Sequence, residues 1–591
     1  MMQYILAIIL SLLSVSFTAQ VIPSQRTAKW DISSLTDSVD YSAKTINALD
    51  INADPTGSSD NQPVFQYAMD SISSSGGGTL LLPPGTYLMQ SPVSIPDNVR
   101  MKGSGADTTF LVLDFQGQNG INMHGTANNA TYGIDQYYTK GSDSLKLANA
   151  NNLVIGDYVE IFQDNGSWDD KPASWAQQVT GMISKIKDIN NNIIYLSSPL
   201  SMDFTASLNP SLRRFTPLKN AAVECLHISR KDSSEDTGHN ISLSYAWNCR
   251  VVGVESAYSE GSHIHINKSA HNSLFGNYLH HSFIYDGAGT HGYGITFTHH
   301  ACYNIAENNI FKHLRHAMMT KAGANTNVLA FNYSLDVYRS ETPHNASGDL
   351  SLHGHYSFAN LFEGNIVQNI AIDHYWGPSG PYNTFFRNRA EYYGIVMTNG
   401  DTTTSDKQSF VGNEVSMNPG FLGQYIITGS NHFEYGNNIK GVNIPSNTSN
   451  LSTTSLYYSG IPPYWNYNIP WPAIGYPNTL DSNENPAKLR YKSGDVLSLC
   501  DCDTISSNGT GINAYQHKAL DFYPNPAVDA ITTKTVLQDA HLEIFSINGA
   551  LLITKELRSQ KPIDVSNLNT GVYLIKVYTN NAVYMAKLMK Q

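Results

Sequence analysis

Pairs of asparagines five residues apart recur along the middle of the chain, and they constrain its fold more than any other feature. The pairs are Asn272/Asn277, Asn304/Asn309, Asn327/Asn332, Asn360/Asn365 and Asn383/Asn388, with apolar residues between. Gln408 and Asn413 continue the series, and Asn248 to Gly253 is an earlier, degenerate member. The second members fall at 277, 309, 332, 365, 388 and 413, so the steps are 32, 23, 33, 23 and 25 residues. A unit of this size cannot bury its inner face alone, so units stack as coils of a parallel β-helix. Like residues then lie above one another at about 4.8 Å. Asparagine is expected there because it tolerates left-handed turns and because its amide can bond from coil to coil. The longer steps insert about ten residues, and such loops on one side can build a groove. An irregular β-sandwich would not keep this register.

Composition agrees with a β-rich exported protein. Hydrophobic residues make up 41% of the 591 residues, enough for a long core, and charged residues only 14%. A net charge of −12 argues against nucleic acid as partner, because that needs a basic footprint. Any anionic substrate must meet a groove that is basic against the overall charge. Residues 1–20 read as a signal peptide, since the apolar run from Ile5 to Val15 is too short to span a membrane. Five cysteines, at 225, 249, 302, 500 and 502, make no disulfide framework; buried thiols or one incidental disulfide are expected.

The start of the solenoid carries a resemblance. Asp50 to Gly57, Asp60 to Pro63 and Gly76 to Tyr87 (GGGTLLLPPGTY) resemble the opening of the pectate-lyase-like superfamily. The resemblance implies a right-handed β-helix from about 45 to 500, with a short helix from Asn61 to Ser73 capping its open end. That superfamily includes lyases, hydrolases, epimerases and phage depolymerases, so it points to fold more than to chemistry. Strand-like segments between about 140 and 215 lack the asparagine register and read as an inserted small β-subdomain. Residues 456–475 are rich in aromatics and prolines and suit either a structural cover or a sugar-stacking platform. A linker at 503–517 precedes residues 518–591, where Phe522 to Ala527, Leu542 to Gly549, Ile563 to Leu568 and Gly571 to Lys576 resemble the C-terminal sorting domain of type IX secretion substrates. Their alternating strands suit a β-sandwich. This resemblance implies the type IX machinery as partner and a secreted or cell-surface location.

Aligned on the asparagine register, basic residues fall in a stripe across successive coils: His265, then His299 and His300, then Lys321, then His353 and His355. Tyr293, Arg315 and His316 flank it. A structural histidine ladder would explain histidines alone, but not Lys, Arg and Tyr beside them. The mixture suits β-elimination from a uronate chain. A cation neutralises the carboxylate, a base removes the C5 proton, and an acid protonates the leaving oxygen. His299, Lys321 and His353 are the candidate bases or neutralisers, and Tyr293 the candidate acid. Arg315, His316, His265, His355 and His300 are candidate substrate binders. The alternative is a β-helix glycoside hydrolase with paired carboxylates, for which Glu307 and Glu363, two coils apart, and Asp286, Asp349 and Asp373 are available. A non-catalytic surface glycan-binding protein is the third reading. His263 with His265, or His353 with His355, share a strand face, but no further ligand is fixed by spacing. No required metal is predicted, with calcium or another divalent ion left open, and a monomer is expected.

Overall fold

The computed structural model describes residues 21–497 and 516–591, apart from 34–37, 232–237, 399–402, 419–420, 466–467, 521, 534–539, 547–550, 558–561 and 579–581. The expected signal peptide, Cys500, Cys502 and nearly all of the linker lie outside the described residues. The chain forms two compact units, 1–507 and 508–591.

The first unit is a right-handed parallel β-helix. One face is a twelve-stranded, all-parallel sheet running from Thr45–Asn47 to Phe433–Tyr435. The opposite faces include a parallel stack of Ile121–His124, Ile241–Ser244, Ser262–Asn267, Tyr293–Thr298, His316–Thr320, Leu350–His353 and Ile366–Asp373. Ile264, Ile266, Ile295, Phe297, Leu350, Leu352, Ile370 and Ile372 fill the interior, and the stacked rings of Phe362, Phe385 and Phe410 close its far half. The capping helix spans Gln62–Ser74 and buries Phe65, Ala68, Met69 and Ile72 on the first coil.

Both asparagine ladders form. Asn272, Asn304, Asn327, Asn360, Asn383 and Gln408 are joined side chain to side chain at 2.8–3.0 Å. Asn277, Asn309, Asn332, Asn365, Asn388, Asn413 and Asn437 are joined at 2.9–3.1 Å. One expectation is corrected. The left-handed conformation falls on the residue before each asparagine, as at Tyr303 (φ 54°), Phe331 (52°), Ala359 (53°) and Arg387 (54°). The asparagines recur for their amides: buried, each Nδ2 donates to the next rung's amide oxygen and to a carbonyl of the preceding coil, as Asn304 does to Asn327 and Ser269, which compensates for strained turns next door.

Between Thr126 and Thr216 the chain leaves the coils to form a six-stranded antiparallel sheet. The aromatic segment after residue 450 is a cover on the flank of the twelve-stranded sheet. Leu451, Trp465, Ile469, Ala473 and Ile474 pack there with Phe331, Leu361, Phe386 and Val411, joined by Ile22 and Trp30. Cys225, Cys249 and Cys302 are buried free thiols. The second unit pairs a five-stranded sheet with a three-stranded one around Ile531, Leu542, Ile544, Val565, Ile575 and Leu588.

Candidate functional site

The outward positions of the Ile121–Asp373 stack form the floor of the site. In register, His265 lies level with Thr296, and Tyr293 with His316. Lys321 follows Thr320, which is level with Leu352, so Lys321 and His353 sit side by side; His353 is in turn level with Asp373.

One wall is made by the two ten-residue insertions of the asparagine repeat. Their tips meet where the Gly287 N–H donates to Glu341 Oε1 at 2.7 Å, and Thr290 lies 3.4 Å from the Lys321 ammonium. The other wall is the 164–178 loop of the antiparallel sheet, whose Trp175 ring lies 6.0 Å from the same ammonium.

The cluster at the centre holds Tyr293, Arg315, His316, Lys321, His353 and Asp373. Arg315 Nη1 donates to the Tyr293 hydroxyl at 3.2 Å. The His316 ring lies 5.0 Å from that of Tyr293 and 5.5 Å from that of His353. His353 Nδ1 is 2.9 Å from Asp373 Oδ2. Burial, with Arg315 nearby, lowers Lys321 from its ordinary range to about 8. Burial also raises Tyr293, and Arg315 opposes that rise. Burial, then Arg315 and His353, hold His316 well below the ordinary histidine value. Its Nδ1–H is committed to the Gly348 carbonyl at 2.8 Å, so Nε2 is left as an acceptor. His316 is therefore held toward its neutral form, with Nε2 as the nitrogen it can offer.

His265 stands apart from this centre. It stacks on His239 with centroids 4.2 Å apart, and burial, then His239 and Lys321, hold it well below its ordinary value. His239 Nδ1 accepts from the Ser262 N–H at 3.0 Å, and burial lowers this ring to about 3.

Three predicted residues do different work. His299 donates from Nε2 to the Trp175 carbonyl at 2.8 Å and pairs through Nδ1 with Thr298 Oγ1 at 2.8 Å. His300 lies between Glu160 Oε1 at 2.8 Å and the Gln178 carbonyl at 2.7 Å. His355 donates to the Lys171 carbonyl at 3.0 Å. All three have positive φ (42°, 61° and 45°), which turns their rings off the groove and onto the 164–178 loop. Through these bonds they fasten this wall to the coils.

The alternative carboxylate pair is also placed elsewhere. Glu307 and Glu363 flank Ala330 two coils apart, as the register requires, but on the twelve-stranded sheet beneath the cover. Glu307 accepts from the hydroxyls of Tyr457, Tyr458 and Tyr464, and Glu363 from the Leu456 N–H at 2.9 Å. Neither can reach a polysaccharide. Asp349 is buried on Ser334 and the backbone of Gln368 and Asn369. Asp286 bonds His291 at 2.7 Å. Among the described residues no group of three or more His, Cys, Asp or Glu is arranged to hold a metal.

Sequence reasoning missed Asp373 as the partner of His353, because their coil step is 20 residues rather than 23. It also missed His239 and Trp175, which no repeat connects to the stripe.

Residues 45–198 match the family described as rhamnogalacturonase A/epimerase, pectate lyase-like, and residues 521–591 match the secretion system C-terminal sorting domain. The solenoid opens as a pectate-lyase-like domain. The sorting domain indicates type IX secretion to the outside of the cell or its surface. No curated protein matches it. Among solved structures, a tailspike of Pseudomonas phage phi297 is 13% identical over 63% of this chain and 69% of its own, with a TM-score of 0.44. The tailspike gp49 of Pseudomonas phage LKA1 is 14% identical over 63% and 64%, with a TM-score of 0.41. A hyperthermoactive exopolygalacturonase from Thermotoga maritima is 11% identical over 65% and 84%, with a TM-score of 0.36.

Proposed function

We propose that the protein is a secreted enzyme that cuts a uronate-containing polysaccharide by β-elimination. The observation that carries this reading is the convergence of Arg315, Lys321, Tyr293, His316 and the His353–Asp373 pair in one groove. Arg315 and Lys321 supply positive charge for the uronate carboxylate, which makes the C5 proton acidic. His353, with Nδ1 turned to Asp373, presents Nε2 as the base; a base oriented by a third group is the arrangement that general-base catalysis needs. The Tyr293 hydroxyl protonates the departing oxygen at C4. The C5–H and C4–O bonds break, a C4=C5 double bond forms, and no water is consumed.

Glycoside hydrolysis fits the site less well, since it requires two carboxyl groups facing one open space. Asp373 is engaged by His353, and Glu307 and Glu363 lie under the cover. The test is a screen of the full chain on acidic and neutral polysaccharides, following ultraviolet absorbance of an unsaturated sugar together with new reducing ends. Both signals rising together support the lyase. Reducing ends alone overturn it in favour of hydrolysis, and binding with neither signal overturns it in favour of a glycan-binding protein.

A further inference from the structure

Large aromatic side chains are rarely left exposed side by side on a secreted protein without a partner. Here Trp175 is 43%, Trp376 38% and Tyr375 69% exposed. The Trp175 and Trp376 rings are 6.0 Å apart and those of Tyr375 and Trp376 are 5.0 Å apart, each pair meeting edge to face (74° and 87°), so a sugar face stacks on one ring while its neighbour walls the edge. This platform joins the central cluster at both ends. Trp175 faces Lys321, and the Tyr375 N–H donates at 2.7 Å to Oδ1 of Asp373, whose other oxygen meets His353.

We propose that Trp175, Tyr375 and Trp376 form a stacking subsite for a neutral sugar, adjacent in the chain to the uronate cut at Lys321 and His353. The identity of the cut unit rests on the lyase reading; the platform does not. A pyranose ring offers an apolar C–H face that matches an aromatic surface, and aromatic walls with a few polar groups are the usual lining of such sites. Charge selects a neutral ring. Of the cations, Arg315 lies at the cluster, and Lys321 lies between the cluster and the Trp175 end of the platform, away from Tyr375 and Trp376. At the platform, Lys171 directs its ammonium to the carbonyls of His374 and Tyr375 at 3.3 and 3.2 Å. The other charged groups there are Asp373, already engaged, and Asp169 and Asp170, which act on His355 beneath Trp175. A second uronate would meet carboxylates. The preferred substrate is therefore a polymer in which uronate alternates with neutral sugar, not a polyuronate.

The test uses the full chain with polygalacturonate and alginate as uronate-only probes, and hyaluronan and gellan as mixed ones. Retardation in polysaccharide-containing gels and KM are measured. The expected result is strongest retention by a mixed polymer, with Trp376→Ala and Tyr375→Ala each raising KM and weakening retention about tenfold, and Tyr375→Phe restoring both. Tyr375 is 69% exposed, so its variants test the platform without disturbing the fold. Unchanged retention in both alanine variants, best retention by a uronate-only polymer, or retention by none of the four overturns the proposal. Lys321→Met separates the two readings. If it still cuts while Trp376→Ala loses retention, the lyase chemistry fails and the platform stands.

Discussion

Glu363 makes the stability of the pectate-lyase-like domain depend on pH in a direction opposite to that of most carboxylates. It is fully buried beneath Trp465 and Ile474, where the Leu456 N–H donates to one oxygen at 2.9 Å and the Ser455 side chain opposes the effect of burial only in part. The nearby Arg387 is committed to the carbonyls of Leu451, Thr453, Ile474 and Tyr476. Burial therefore raises Glu363 from 4.5 to about 8. Between those values the folded chain holds a proton that the unfolded chain has released, so stability is full below pH 4.5 and falls as pH rises through about 8. Each pH unit costs about 1.4 kcal/mol, and the whole interval about 5 kcal/mol. For a domain of roughly 450 residues, with an unfolding entropy of about 2 cal/mol/K per residue, that corresponds to about 5 °C in Tm. Glu363→Gln keeps the shape and removes the proton. Thermal melts of wild type and variant at pH 5 and pH 8.5 should show the variant gaining about 5 °C on the wild type at the higher pH. A gap that is the same at both pH values refutes the reasoning.

Further outcomes follow from the ladders and the groove. Asn332→Ala leaves buried partners unpaired at Asn309, Asn365 and the Ala306 carbonyl, so it should cost about 3 kcal/mol or more, measured by chemical denaturation. If Lys321 acts as a cation, kcat/KM should fall as pH rises through about 8, and Lys321→Arg should remove that limb; a limb that persists in the arginine variant would exclude the role. Asp373→Asn should lower kcat by about 10² to 10⁴ through loss of the His353 orientation, with the melting curve little changed. His299→Ala should release the 164–178 loop, read as faster limited proteolysis within it and unchanged cleavage elsewhere.

The solenoid was legible because its repeat is carried by side chains that bond to their own kind one coil away, as Asn304 does to Asn327. The inference went wrong by one position on the turn, since Phe331 and Arg387 give no sequence sign that they adopt positive φ. In the site, Lys321 and His353 were found because strand alternation and register suffice to place them. His299, His300 and His355 share that register, yet their backbone turns away from the strand. Glu307 and Glu363 were spaced correctly, but which sheet the cover protects depends on residues about a hundred or more positions later in the chain. Trp175 lies in a loop of the antiparallel sheet, far from the stripe in sequence, and such a contact leaves no periodic trace.

The two asparagine ladders have a consequence for how this architecture can change. Every rung is chemically the same above and below, so the spine is satisfied whether the chain between rungs takes 23 residues or 33. The two long excursions that wall the groove carry Asp286, Thr290 and Glu341, and no rung depends on them. Holding the coils together and walling the groove are thus assigned to different sides of each turn. Loops can be lengthened, shortened or exchanged while the spine stays unaltered, and a new groove requires no new fold.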